Sequence, residues 1–196
     1  MSIVTLVSGG LDSTVMALLA KEEGLTQFPL FIDFGQLGRD RELQACRNNF
    51  LKHELPTPQV ASLGGYGSLL SSGLTDPNKH ILDDAFLPCR NLMFLTVGAA
   101  YAFQCEATTV GIGLLDETFH LFPDQTKTFL TDAEALLSKS LGKPLKLVAP
   151  LMSFSKAEVL EIAKAKGITG TYSCHAGTEM PCGICIACRE YIGLEV

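Results

Sequence analysis

The chain has 196 residues, of which 47% are hydrophobic and 18% charged, enough apolar material for one sizeable core with at most a small appendage. Its formal net charge of -6 argues against broad, sequence-independent nucleic-acid binding, which needs many Lys and Arg against phosphates. The pattern opens on a strand with no secretory leader, and the longest apolar run, Leu92 to Phe103, is too short to span a bilayer, so a cytoplasmic protein with no membrane partner is expected.

The apolar run Ile3 to Val7 reads as a first strand, and Ser8-Gly9-Gly10-Leu11-Asp12-Ser13-Thr14 follows it into a helix-patterned segment. Strand, glycine turn and helix start form a phosphate-binding arrangement: glycines let backbone N–H groups approach an anion, the helix N-terminus adds partial positive charge, and Ser8, Ser13 and Thr14 offer hydroxyls. No Lys follows the glycines, so the segment is not a Walker loop. Asp12 beside phosphates requires a divalent cation between them, which points to a Mg2+–nucleotide.

Val15, Leu18 and Leu19 keep helical spacing up to Gly24, and Phe28 to Ile32 reads as a second strand ending at Asp33-Phe34-Gly35. Arg41 to His53 is helical, with Leu43, Cys46 and Phe50 on one face, and Gln59 to Ala61 is a short third strand. Ser62 to Pro88, rich in Gly, Ser and Asp, is a long loop of the kind that is either functional or poorly ordered. Arg90 to Phe103 is a helix apolar nearly all round and therefore expected to be buried. Thr108 to Ile112 is a fourth strand, with irregular chain from Gly113 to Pro123. A helix follows over Gln125 to Leu141, then a fifth strand over Leu145 to Ala149. Ser155 to Lys166 is a last helix, capped by Ser155 with Glu158 three residues on and stopped by Gly167. The alternation predicts an α/β fold, a doubly wound open parallel sheet with helices on both faces. Ser8–Ser13, Asp33–Gln36 and Gly111–Asp116, at the ends of strands one, two and four, should converge on one crevice.

Seven cysteines in a chain without a leader argue for a metal site rather than disulfides. Cys174, Cys182, Cys185 and Cys188 suit tetrahedral Zn2+, with an iron–sulfur cluster as the rival. His175 either replaces one sulfur or is a loop neighbour. Residues 1–170 then form the nucleotide-binding domain and 171–196 a small zinc-binding element packed on it. Cys46, Cys89 and Cys105 read as ordinary buried thiols, Cys89 being the one to check for reactivity because Arg90 is its neighbour.

Ser8-Gly9-Gly10-Leu11-Asp12-Ser13 resembles the SGGxDS signature of the PP-loop ATP pyrophosphatases. Together with Pro88-Cys89-Arg90-Asn91, Pro123-Asp124, Ser155-Lys156-Ala157-Glu158 and the terminal Cys174…Pro181-Cys182-Gly183-x-Cys185-x-x-Cys188, it resembles the 7-cyano-7-deazaguanine synthase family, in that family's order. The resemblance implies the adenine-nucleotide-hydrolase-like PP-loop fold, a C-terminal zinc element, a homodimer, and ATP-driven conversion of 7-carboxy-7-deazaguanine and ammonia into the nitrile of the queuosine pathway. Adenylation makes a carboxylate oxygen a good leaving group without a protein nucleophile, and the site must then exclude water until ammonia attacks.

On that reading Ser8, Gly9, Gly10, Leu11, Asp12, Ser13 and Thr14 hold the nucleotide and Phe34 packs near adenine. Lys156 either reaches the phosphates or is a solvated first-turn lysine. Arg90, followed by Asn91, either anchors a phosphate or carboxylate or pairs with an Asp of the preceding loop. Asp124 either accepts N–H bonds from a guanine-like edge or caps the helix from Gln125. The chain departs from the family at Leu37-Gly38, Gln125-Thr126 and Ile186. These departures keep open a ligase or amidase acting on a different carboxylate, or a non-catalytic zinc- and nucleotide-binding protein.

Overall fold

A computed structural model describes residues 1–116 and 121–194. Strand β1 (Ser2–Val7) leads to helix α1 (Leu11–Glu22), β2 (Thr26–Asp33), α2 (Arg39–Lys52) and β3 (Gln59–Ser62). A short helix α3 (Gly64–Leu69) precedes α4 (Arg90–Gln104), β4 (Thr109–Gly111), α5 (Lys127–Leu141), β5 (Lys146–Val148), α6 (Lys156–Ala165) and the single turn α7 (Ile186–Arg189). All five strands are parallel, in the order β3-β2-β1-β4-β5, so β1 lies at the centre with its glycine turn where the chain switches direction across the sheet.

Alternation along the strands builds two cores. Val4, Leu6, Leu30, Ile32, Val110 and Leu147 face α4 and α5, where Leu95, Ala99, Leu130 and Ala133 meet them. Val7 and Phe31 face the other way, onto Val15, Leu18, Phe50, Val159 and Leu160 of α1, α2 and α6. Each such large apolar side chain contributes about 1.5–3 kcal/mol on burial. The doubly wound sheet is therefore as expected from the alternation of elements.

Several local expectations change. Helix α4 is not buried all round: Thr96, Ala100 and Phe103 face outward, because the sheet and α5 flank only part of its circumference. Lys143 covers the exposed Phe103 ring, its Nζ 4.0 Å from the centroid. Cys89 is exposed rather than buried, since it is the residue before α4 and takes a left-handed φ of 58°. Helix α5 starts at Lys127, capped by Thr126, whose Oγ1 accepts the Phe129 N–H at 3.1 Å; Asp124 is not its cap. Ser155 and Glu158 form the expected reciprocal cap of α6.

The stretch from Ser62 to Pro88 folds back on itself: the Gly73 N–H and Ser72 hydroxyl both donate to Asp84 O, at 2.8 and 3.1 Å. Its Leu74 and Leu87 are buried in the α4 core. The irregular stretch expected up to Pro123 includes 117–120, outside the described residues. No helix among the described residues is long and apolar enough to cross a membrane.

The glycine turn is shaped by a neighbour as much as by any ligand. Gly9 has φ +79°, and a Cβ there would lie 2.1 Å from the carbonyl O of Glu42 and 2.9 Å from the amide of Cys46. Helix α2 thus rests its backbone on the turn. Gly24, with φ +65°, meets nothing within 4 Å. In urea titrations Gly9→Ala is expected to lose about 3 kcal/mol or more, against about 1 kcal/mol for Gly24→Ala, because only the former adds a backbone clash to the backbone strain.

Candidate active site

The first turn of α1 has no capping side chain, since Gly10 occupies the cap position, and its leading N–H groups stay open at the end of β1. Around them the hydroxyls hold one another: Ser13 Oγ accepts the Ser8 N–H at 3.1 Å and lies 3.1 Å from Ser8 Oγ. The Gly10 N–H donates to Ser8 Oγ at 3.3 Å. This is a preformed set of donors around an open helix N-terminus, the local chemistry of an anion site.

Ser8, Gly10, Asp12 and Ser13 line a cavity of about 260 Å3 at the carboxyl ends of β1, β2 and β4. Phe34 closes one side, its ring 5.4 Å from that of Phe94. Gly113, after β4, approaches the start of α1 so closely that a Cβ would lie 3.2 Å from the Ser13 amide. The three strand ends read from the sequence do meet in one crevice. Leu11 instead turns into the core, and Thr14 is fully buried, its Oγ1 donating to Gly10 O at 2.8 Å. Gly9 sits against α2 rather than among the lining residues.

Lys156, the first residue of α6, is not a solvated lysine. Its Nζ donates to both Asp12 carboxylate oxygens at 2.9 Å and lies 3.0 Å from Glu190 Oε2 and 4.9 Å from the Tyr191 ring centroid. Burial disfavours its charge, but Asp12 and Glu190 outweigh that and hold its pKa above the usual lysine range. Asp12, Lys156 and Glu190 also line a second chamber of about 600 Å3, so this charged trio stands where the two chambers meet.

Arg90 lines the first cavity from the start of α4, its guanidinium 5.9 Å over the Phe94 ring, with no ion pair among the described residues. It does not pair with an Asp of the preceding loop; burial lowers its pKa against the opposing fields of Asp124 and Glu42. Asn91 and Asp124 bond each other: the Asn91 N–H donates to Asp124 Oδ2 at 3.1 Å, and Asn91 Nδ2 donates to Asp124 O at 3.0 Å. Asp124 therefore caps α4 and neither residue is among those lining the cavity.

Cys174, Cys182, Cys185 and Cys188 converge, their sulfurs all within 4.8 Å of one another, and this cluster could hold a metal ion. Backbone N–H groups of Cys182, Cys185 and Cys188 donate to the sulfurs of Cys174, Cys182 and Cys185 at 3.3–3.4 Å, which suits thiolates. Burial would push the Cys174 thiol up, but the Cys182 N–H and Thr178 hydroxyl bring it down to about 6. The segment carrying the cluster is a wall of the cavity: the Tyr172 N–H donates to Gly9 O at 3.0 Å, and Tyr172, Ser173 and His175 face the interior. His175 Nδ1 is buried with no partner among the described residues, and burial with the Arg90 charge pushes its pKa down to about 4.

Sequence reasoning missed Glu42 and Glu190. Glu42 lines the cavity, and burial pushes its carboxyl up to about 7 even though Gln36 and Arg90 act to lower it. One signal was available: Glu42, Cys46 and Phe50 are spaced at i, i+4 and i+8, so a carboxylate sits in the stripe that faces inward. Glu190 had no comparable signal.

Lys156→Met leaves Asp12 and Glu190 facing each other without their shared cation. A loss of about 1–3 kcal/mol in denaturant titrations is expected, and adding Asp12→Asn should recover part of it.

Residues 2–191 match the family model described as queuosine biosynthesis protein QueC. A 7-cyano-7-deazaguanine synthase of Methanothermobacter thermautotrophicus is 32% identical, the alignment covering 97% of this chain and 92% of that protein. One from Acetivibrio thermocellus is 30% identical, covering 94% and 88%. Among solved structures, a 4-thiouridine synthetase–RNA complex with bound ATP superposes with a TM-score of 0.54 at 19% identity, covering 85% of this chain and 40% of that one. The superposition shows that this chain shares its parallel α/β fold with that enzyme. The chain belongs to the queuosine biosynthesis protein QueC family.

Proposed function

We propose that the chain converts 7-carboxy-7-deazaguanine and ammonia into 7-cyano-7-deazaguanine, using ATP to activate first the acid and then the amide. The observation that carries the reading is that the Ser8–Ser13 turn, Lys156 and Arg90 open into one cavity of a QueC-family chain.

In the proposed reaction the substrate carboxylate oxygen attacks the α-phosphorus of ATP and pyrophosphate leaves. Ammonia then adds to the acyl carbon, AMP leaves and the amide forms. The amide oxygen is adenylated in turn, and loss of AMP and a proton gives the nitrile. The chain's part is positioning and charge stabilisation. The open N–H groups of α1 with the Ser8 and Ser13 hydroxyls bind the pyrophosphate, and Lys156 transfers from Asp12 to the phosphates as they arrive. Arg90 holds the acid, and the Phe34 ring packs near adenine. Asp12, freed from Lys156, would hold Mg2+, which when bound neutralises phosphate charge. Asn91 and Asp124 serve the substrate indirectly, by fixing the start of α4 that carries Arg90.

Zn2+ is the proposed occupant of the cysteine cluster, because four sulfurs with backbone donors and no open position suit a closed structural site. On this reading residues 171–196 are a metal-bound element that completes the wall beside residues 1–170.

The purified chain with 7-carboxy-7-deazaguanine, ammonium and Mg-ATP should yield the nitrile, AMP and pyrophosphate by liquid chromatography and mass spectrometry, and Asp12→Ala should cut turnover at least ~100-fold. Intact ATP binding with no product overturns the assignment. AMP release with another carboxylate would favour a different acceptor, as the cavity-lining Gln125 after Asp124 suggests. Elemental analysis should return one zinc per chain, and chelation or Cys185→Ser should lower the melting temperature; iron in its place would refute the zinc reading.

A further inference from the structure

Two groups of opposite charge share the cavity without pairing. Glu42, on the first turn of α2, receives one hydrogen bond, from Gln36 Nε2 to Oε2 at 2.9 Å, and has no ion-pair partner among the described residues. Gln36 cannot adapt to it, because its own Oε1 accepts the Phe34 N–H at 3.0 Å and its Nε2 also reaches Ile32 O at 3.4 Å. The carboxylate is therefore held by Gln36 near the end of β2, with no hydrogen bond to Oε1 among the described residues. Arg90, from α4, faces the same cavity and is likewise unpaired among the described residues. A third group, His175 Nδ1, is buried there without a partner among the described residues.

A carboxylate buried on one neutral hydrogen bond is costly unless a ligand completes it. Its oxygens only accept, so the complementary edge carries adjacent N–H donors. Adenine does not offer one: beside its amino group stands a ring nitrogen that accepts. A guanine-type ring does, with N1–H next to the 2-amino group. A ligand with that edge at one end and an acid at the other would satisfy Glu42 and Arg90 together.

We propose that Glu42 is the specificity-determining residue for the acceptor, its carboxylate taking the N1–H and 2-amino groups of the deazaguanine ring while Arg90 takes the acid group; this rests on the function proposed above. Gln36 is its positioning residue. The role expected for Asp124 on the guanine-like edge passes to Glu42, because Asp124 Oδ2 is occupied by the Asn91 N–H.

Calorimetric titration of the full chain with 7-carboxy-7-deazaguanine, with the analogue lacking the 2-amino group, and with Mg-ATP tests this. The unaltered chain should prefer the amino compound about 10–100-fold, the worth of a hydrogen bond to a charged group. Glu42→Gln should lose at least ~10-fold of that preference, through weaker binding of the amino compound, while ATP affinity is unchanged. If Glu42→Gln does not fold by circular dichroism, Glu42→Asp provides the same comparison and should show a reduced preference. An undiminished preference overturns the proposal, as does a loss confined to Mg-ATP, which would assign the carboxylate to the nucleotide. ATP binding with no affinity for either deazapurine in the unaltered chain sinks the functional reading itself, and this inference with it.

Discussion

The candidate site depends on one buried ammonium. Lys156 joins three parts of the chain by charge as well as by packing: Asp12 at the start of α1, its own helix α6, and Glu190 just past the cysteine cluster. Two carboxylates around one cation leave the trio with a net negative charge, which suits a divalent cation and would repel bare phosphates. On the proposed function, the cation that pairs with both carboxylates is thus positioned to be drawn away by an arriving Mg2+–nucleotide. The open N–H groups of α1 and the hydroxyls of Ser8 and Ser13 need no such rearrangement. The pair of carboxylates acts as the adjustable part and the glycine turn as the fixed part.

That fixed part is held by packing. Helix α2 lays its Glu42 carbonyl over Gly9, and the Gly113 segment closes on the Ser13 amide from the other side. The backbone of the turn is therefore clamped between neighbours before any ligand enters. The consequence reaches Glu42, whose carbonyl touches the glycine turn while its side chain faces the cavity. One residue of α2 thus ties the geometry of the glycine turn to that of the proposed acceptor site.

Periodicity and turn chemistry made the sheet legible. Every strand but the short β3 carried or adjoined an apolar run, and Gly24, Gly167 and Ser155 marked helix ends through local chemistry, so the doubly wound architecture followed. The glycine turn and the cysteine spacing were legible because their chemistry is written in contiguous residues. What stayed hidden was set by distant contacts. Lys156 and Asp12 are 144 residues apart, and no local pattern distinguishes a solvated first-turn lysine from one held by a carboxylate from α1. Asp124 illustrates the converse: its bond to the Asn91 amide caps a helix 33 residues earlier in the chain. The overstated burial of α4 came from reading composition without knowing how little of its surface the sheet and α5 would cover.

The bond from the Tyr172 amide to Gly9 O has a consequence for how the cavity forms. Its two partners lie far apart in sequence, so closing it carries the entropy cost of a long loop. The five strands all precede Tyr172, and the sheet can pair without that bond. Ser173, His175 and the carboxylate that Glu190 gives Lys156 reach the cavity only once the cysteine-bearing segment has docked on the glycine turn, which makes this wall the part of the fold most dependent on non-local contact.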